Sequence, residues 1–192
     1  GEAARREVQR LRARSCAILT GVGTVLHDNP SLTVRADELG LDDADEAATI
    51  AARQPLRVVV DSQLKTPEDA RLFTADGDVL IATAVNYSDR LDAEIVSLPD
   101  QHGRVDLLAL LKMLATEECN NLLVEAGATL AGAFVQAGLV DELIIYMAPK
   151  LLGNLARPLL SLPFESMSQQ VALDITDVRQ VGEDIRMTAR LV

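Results

Sequence analysis

Short apolar runs alternate with helix-forming segments along the middle of this chain, and that alternation constrains its fold more than any other feature. Residues 56–61 (LRVVVD), 78–83 (DVLIAT) and 121–125 (NLLVE) are apolar and too short for helices. They read as strands buried on both faces, the pattern of a parallel sheet. Residues 105–116 (VDLLALLKMLAT) and 128–137 carry helical spacing and strong helix formers. Residues 16–20 (CAILT) read as a further buried strand that leaves the sheet through a glycine turn at Gly21-Val22-Gly23-Thr24, and Ile95 to Leu98 and Leu143 to Tyr146 as two more. Residues 2–14 suit an amphipathic helix with Ala4, Val8 and Leu11 on one face. Leu32 to Arg35 read as extended, and the acidic run from Asp37 to Glu46 as a surface excursion. From Ile175 to Leu191 strict alternation returns, the signature of an antiparallel hairpin closing the sheet. The expectation is one α/β domain of three layers, with a mixed, mainly parallel sheet and a C-terminal antiparallel hairpin.

Composition narrows the partners. Aromatic residues are 3% and Trp is absent, so the core is aliphatic and base stacking has little to work with. A net charge of −11 opposes nucleic acid and anionic membrane surfaces. Cys16 and Cys119 lack the paired spacing of a zinc or C-x-x-C site, so no metal is expected. Free thiols and the lack of a signal-like apolar run fit a cytoplasmic protein.

In α/β sheets, ligands bind beyond the carboxyl ends of the strands, and three such ends carry unusual chemistry. At Gly21 to Thr24, two glycines let backbone approach a ligand, or serve only a tight turn. At Val124 to Gly132 a strand enters a small-residue turn and then a helix, whose first amides and dipole suit a phosphate. Glu125 is a carboxylate at the end of an apolar strand, which either meets a ligand hydroxyl or points to solvent. Asp61-Ser62, with Lys65 close by, offers a phosphate contact or an ordinary turn. No G-x-G-x-x-G fingerprint, lysine-bearing P-loop or nucleophile elbow is present. The residues alone point to a nucleotide-type ligand above a sheet edge.

Four ordered stretches go further: AILTGVGTVLHDNPSLTVR (17–35), RQPLRVVVDS (53–62), LLVEAGATLAGAFVQAGLVDEL (122–143) and YMAPKLLG (146–153). Together they resemble the reductase domain of the bifunctional riboflavin biosynthesis deaminase–reductase, within the dihydrofolate-reductase-like superfamily. The resemblance implies NADPH-dependent reduction of the ribosyl side chain of 5-amino-6-(5-phosphoribosylamino)uracil, a phosphorylated ribosylaminopyrimidine. It implies NADPH contacts at Thr24, Asp28 and Ser62, and a cofactor phosphate loop of Gly127, Ala128, Thr129, Leu130, Ala131, Gly132 and Ala133. It also implies substrate contacts at Arg12, Leu32, Arg35 and Glu125, with Arg12 and Arg35 clamping the phosphate and Glu125 meeting sugar hydroxyls. Glu125 and Asp28 are the carboxylates expected near the chemistry.

The resemblance further implies a deaminase domain in the parent protein and a homodimer or larger assembly. This sequence carries no H-x-E and no P-C-x-x-C, so the zinc deaminase domain is absent from residues 1–192. Relative to the family pattern, the reductase domain here begins after its first strand. A truncated, catalytically incompetent nucleotide-binding or interaction module, and a stand-alone reductase for a related ribosylaminopyrimidine, are the alternatives.

Overall fold

The computed structural model describes residues 1–86 and 91–192. Among them five parallel strands form one sheet in the order β4-β3-β2-β1-β5: β1 (Ala17–Gly21), β2 (Leu56–Val60), β3 (Val79–Thr83), β4 (Glu94–Ser97) and β5 (Leu122–Val124). β1 is central, pairing Ala17 with Leu56 on one side and with Leu122 on the other. Because side chains alternate between faces, each strand feeds two cores. Ala17, Leu19, Val58, Leu80 and Ala82 pack against Leu110 and Leu114 of α4 (Leu107–Thr116) and Phe134 of α5 (Ala128–Gln136). Val59, Val79 and Ile81 face the other way, onto Val25 of α2 (Val22–Asp28) and the turn around Leu72. The three-layer α/β arrangement expected from the sequence is thus present.

The antiparallel strands are separate from this sheet. β8 (Asp184–Leu191) lies between β6 (Leu143–Met147) and β7 (Leu173–Val181), giving a second sheet in the order β6-β8-β7. The C-terminal hairpin forms as expected, but its other partner is β6, and the parallel sheet contains no antiparallel strand among the described residues.

Three local expectations are corrected. Gly21 ends β1 and is at once the N-cap of α2, so the stretch read as a glycine turn is a strand running directly into a helix. Leu32 is not extended: its φ is +53°, and its side group is buried. The following residues take their backbone partners from glutamine side groups. Gln54 accepts from the Val34 amide at 2.9 Å and donates to its carbonyl at 2.9 Å, while Gln9 accepts from the Arg35 amide at 3.1 Å. The acidic run is not a mere excursion either. It leads into α3 (Ala44–Ala52), capped by the Asp43 carboxylate, and Leu39 within it is buried with Val34 and Ala47 of α3 in a third apolar cluster.

The first helix, α1 (Glu2–Arg14), buries Ala4 and Gln9. Its apolar spacing identified Ala4 but gave no sign that a glutamine would be fully enclosed.

Gly132, inside α5, has a packing role: a Cβ there would overlap the backbone of Ser161, whose amide donates to the Ala128 carbonyl at 3.0 Å. Backbone cannot swing away as the tip of a flexible side group does. Gly132→Ala is therefore expected to destabilise by about 2 kcal/mol, a fall in Tm of roughly 5 °C by thermal denaturation. An unchanged Tm would show that the Ser161 segment does not rest on this helix.

Candidate active site

Parallel pairing puts the carboxyl ends of β5, β1 and β2 side by side at one sheet edge. Glu125 follows β5 and is tied to β1 by its amide, which donates to the Leu19 carbonyl at 2.9 Å. Its carboxylate meets Arg12 of α1 in a fork: Nε to Oε1 at 2.7 Å and Nη2 to Oε2 at 2.7 Å. Arg12 Nη1 donates to the Thr33 carbonyl at 3.0 Å. The Arg12 and Glu125 side groups are 13% and 24% exposed, so the pair is shielded without being sealed. An arginine has five N–H donors and a carboxylate about four acceptor positions. The bonds just described leave both groups further capacity for a ligand.

Arg12 and Arg35, the two arginines expected at the substrate phosphate, are brought to one cleft. Both arginines line a cleft of about 400 Å³ with Val8, Gln9 and Tyr146. Arg12 is committed to Glu125 and Thr33, while Arg35 is half-exposed and pairs with Glu38 at 2.7 Å. Of the two, Arg35 is the more exposed, and its partner Glu38 also accepts from Gln9 Nε2 at 3.1 Å.

Four further expected residues gather around the strand ends. Gly127 is the N-cap of α5 and has no side group to cap with, and among the described residues no side group accepts from the first amides of that helix. A Cβ on Gly127 would lie 3.9 Å from Thr24 Oγ1, placing Thr24 of α2 beside this turn. Leu130 packs over Gly21. Ser62, past the end of β2, accepts from the Val105 amide at 3.2 Å, which leaves its hydroxyl proton available for donation. The preceding Asp61 is fully buried and organises this turn, its Oδ2 accepting from the Thr66 amide and hydroxyl at 2.7 Å each.

Asp28 lies apart, exposed at the end of α2, with Oδ1 2.9 Å from His27 Nδ1. Leu32 is buried beneath the segment that Arg12 contacts through Thr33. Of the phosphate-loop residues, Gly132 turns toward Ser161 and Phe134, close by, joins the core.

Sequence reasoning assigned no role to Tyr146, near the end of β6 in the fourth matching stretch. Its hydroxyl donates to Glu7 Oε2 at 2.9 Å, an oxygen also reached by Arg186 Nη1 at 3.4 Å. Burial, and then the hydrogen bond to the Glu7 carboxylate, push the phenol up to about 12. Its position within a matched motif was the one signal available.

The profile of the RibD C-terminal domain family matches residues 1–187. The riboflavin biosynthesis protein RibD of Escherichia coli is 43% identical over 185 residues, which are 95% of this chain and 50% of that protein. The 5-amino-6-(5-phosphoribosylamino)uracil reductase of Buchnera aphidicola is 35% identical over 96% of this chain and 90% of its own length. Among solved structures, Acinetobacter baumannii RibD superposes with a TM-score of 0.86 at 35% identity, covering 100% of this chain and 51% of that one. The chain thus spans about half the length of the RibD proteins it matches.

The Tyr146 environment is directly measurable. A folded-state value above the ordinary 10 means that its contribution to stability is complete below pH 10 and is lost as pH rises toward about 12. The phenolate absorbance difference between the protein and Tyr146→Phe is expected to titrate near the upper value while the fold persists. A midpoint at 10 would place Tyr146 in solvent, away from Glu7.

Proposed function

The chain belongs to the RibD C-terminal domain family, and on that footing we propose that it reduces 5-amino-6-(5-phosphoribosylamino)uracil to the ribitylamino product at the expense of NADPH. The observation that carries this reading is the junction at the end of β5. A carboxylate already oriented by an arginine fork stands just before a helix start that has no N-cap side group, which is suited to an anion. The similarity to a Buchnera reductase along 90% of that protein supports placing the activity in a unit of this size.

The residues fit a phosphate-bearing dinucleotide. The open amides of Ala128, Thr129 and Leu130 would hold its phosphates, with Gly127 admitting them closely because no Cβ intervenes. Ala131, Gly132 and Ala133 continue the loop as the part of the helix that small residues let lie near its neighbours. Thr24 and the Ser62 hydroxyl would donate from the two adjoining strand ends. When bound, the reduced nicotinamide supplies a hydride.

On the substrate side, Glu125 orients the opened sugar through its hydroxyls, using the acceptor positions that Arg12 leaves free. Arg12 holds that carboxylate in one geometry and itself lines the cleft that Arg35 shares. Arg35, released from Glu38, meets the substrate phosphate. Leu32 forms the wall beneath. Reduction of the ring-opened imine at C1′ would leave its nitrogen to take a proton, which water beside these residues would supply. Asp28, exposed at the end of α2 and paired with His27, would reach the nicotinamide only through water. Fixing the substrate this way is the main catalytic contribution of the protein.

Turnover is read from loss of nicotinamide absorbance with NADPH and either the deaminated or the undeaminated ribosylaminopyrimidine. Consumption with the deaminated compound is expected, and a folded protein that consumes NADPH with neither compound would refute the assignment. Preference for the undeaminated compound would instead identify a related reductase. Glu125→Gln is expected to lower kcat/KM about 10- to 100-fold, the loss of a charge-assisted contact. Full turnover with unchanged substrate affinity would remove Glu125 from this role.

A further inference from the structure

The two cysteines, 103 positions apart in sequence, meet at the edge of the parallel sheet opposite the site. Cys16 immediately precedes β1, with its amide donating to the Asn121 carbonyl at 2.8 Å and its carbonyl accepting from Leu56 at 3.0 Å. Cys119 lies just before β5. It closes α4 in a tight two-bond turn: the Glu118 amide donates to Ala115 at 3.2 Å, the Cys119 amide donates to Leu114 at 3.0 Å, and Glu118 has a φ of +59°. Because Ala17 pairs with Leu122, these backbone bonds fix both cysteines at the amino ends of neighbouring strands. Cys119 also packs on the core cluster that contains Ala17 and Leu56. Both residues are half-buried, and both are free thiols.

We propose that Cys16 and Cys119 form a reversible intramolecular disulfide, a site of oxidative modification separate from the reductase chemistry. The pair is asymmetric in a useful way. Hydrogen bonds from the Asn121 and Asn120 backbone, with Arg53 nearby, lower the Cys16 thiol, whereas burial and the adjacent Cys16 sulfur raise that of Cys119. Cys16 is the attacking thiolate and Cys119 the resolving thiol. With hydrogen peroxide as oxidant, Cys16 sulfur attacks one oxygen, the O–O bond breaks, and hydroxide leaves, giving a sulfenic acid. Cys119 sulfur then attacks Cys16 sulfur. The S–O bond breaks, the oxygen leaves as water with the Cys119 proton, and the S–S bond forms. A dithiol reverses the step by exchange. The Cys16 amide bond to Asn121, two residues past Cys119, holds the two residues side by side at the starts of neighbouring strands, the placement that a disulfide between them requires.

The cross-link would tie the start of β1 to the end of α4, leaving the carboxyl ends of the strands untouched. It closes a loop of about 100 residues, so the oxidised protein is expected to melt on the order of 10 °C higher. The test is brief peroxide treatment, alkylation of remaining thiols and peptide mapping without reductant. The expected result is a monomer lighter by two hydrogens, with a Cys16–Cys119 peptide that separates on adding dithiothreitol. Cys119→Ser should stop at a Cys16 sulfenic acid that a dimedone probe labels, and Cys16→Ser should lose most of the reactivity. Sulfinic acid at Cys16 of the unmutated protein without the cross-linked peptide, or disulfides only between molecules, would overturn the proposal.

Discussion

Parallel pairing of β1 with both β2 and β5 is the constraint on which the rest of the molecule depends. Strands that run the same way release their carboxyl ends at the same edge, so segments distant in sequence leave the sheet beside one another. Gly21 passes into α2, Val60 into the Asp61 turn, and Val124 into Glu125 and α5. The opposite edge receives the polypeptide again at Cys16 and near Cys119. One register thus separates an edge suited to ligands from one whose notable chemistry is sulfur.

The fork between Arg12 and Glu125 joins α1 to the end of β5, elements more than a hundred residues apart in sequence. Its energetic importance comes from partial burial. A partly shielded charge stripped of its partner is more costly than an exposed one, so neither residue can be altered without disturbing the other. The same pair neutralises itself. The cleft therefore presents directed hydrogen-bond groups along with the cations Arg5 and Arg35, the second paired with Glu38.

The parallel strands and the helices of the middle region were legible because their patterns are local: a short apolar run between turn residues, or a period of helical spacing. The C-terminal hairpin was legible for the same reason, but its choice of β6 over the parallel sheet is a long-range pairing that alternation does not encode. Gly21 to Thr24 looked like a turn because glycine breaks helices on average, yet Gly21 alone serves as the cap and α2 tolerates Gly23. The acidic run hid α3 because its charges mask Leu39 and Ala47. At the site, Glu125 and the small-residue turn were visible from strand-end chemistry. Arg12 became visible only through resemblance, since one arginine among several on α1 carries no local mark. Gln9 and Tyr146 escaped notice because their importance lies in partners far along the sequence.

Gln9 and Gln54 have a consequence for how the cleft behaves across conditions. They hold the backbone at Val34 and Arg35 with neutral amides, which neither gain nor lose protons in the range where proteins remain folded. Carboxylate–guanidinium contacts nearby weaken as ionic strength rises, because mobile ions screen them. The scaffold carrying Thr33 and Arg35 keeps its amide supports under the same change. Salt can thus alter how strongly the cleft attracts a charged ligand while these amide bonds stay in place, and for a cleft that works by orientation, constancy of shape is the more valuable property.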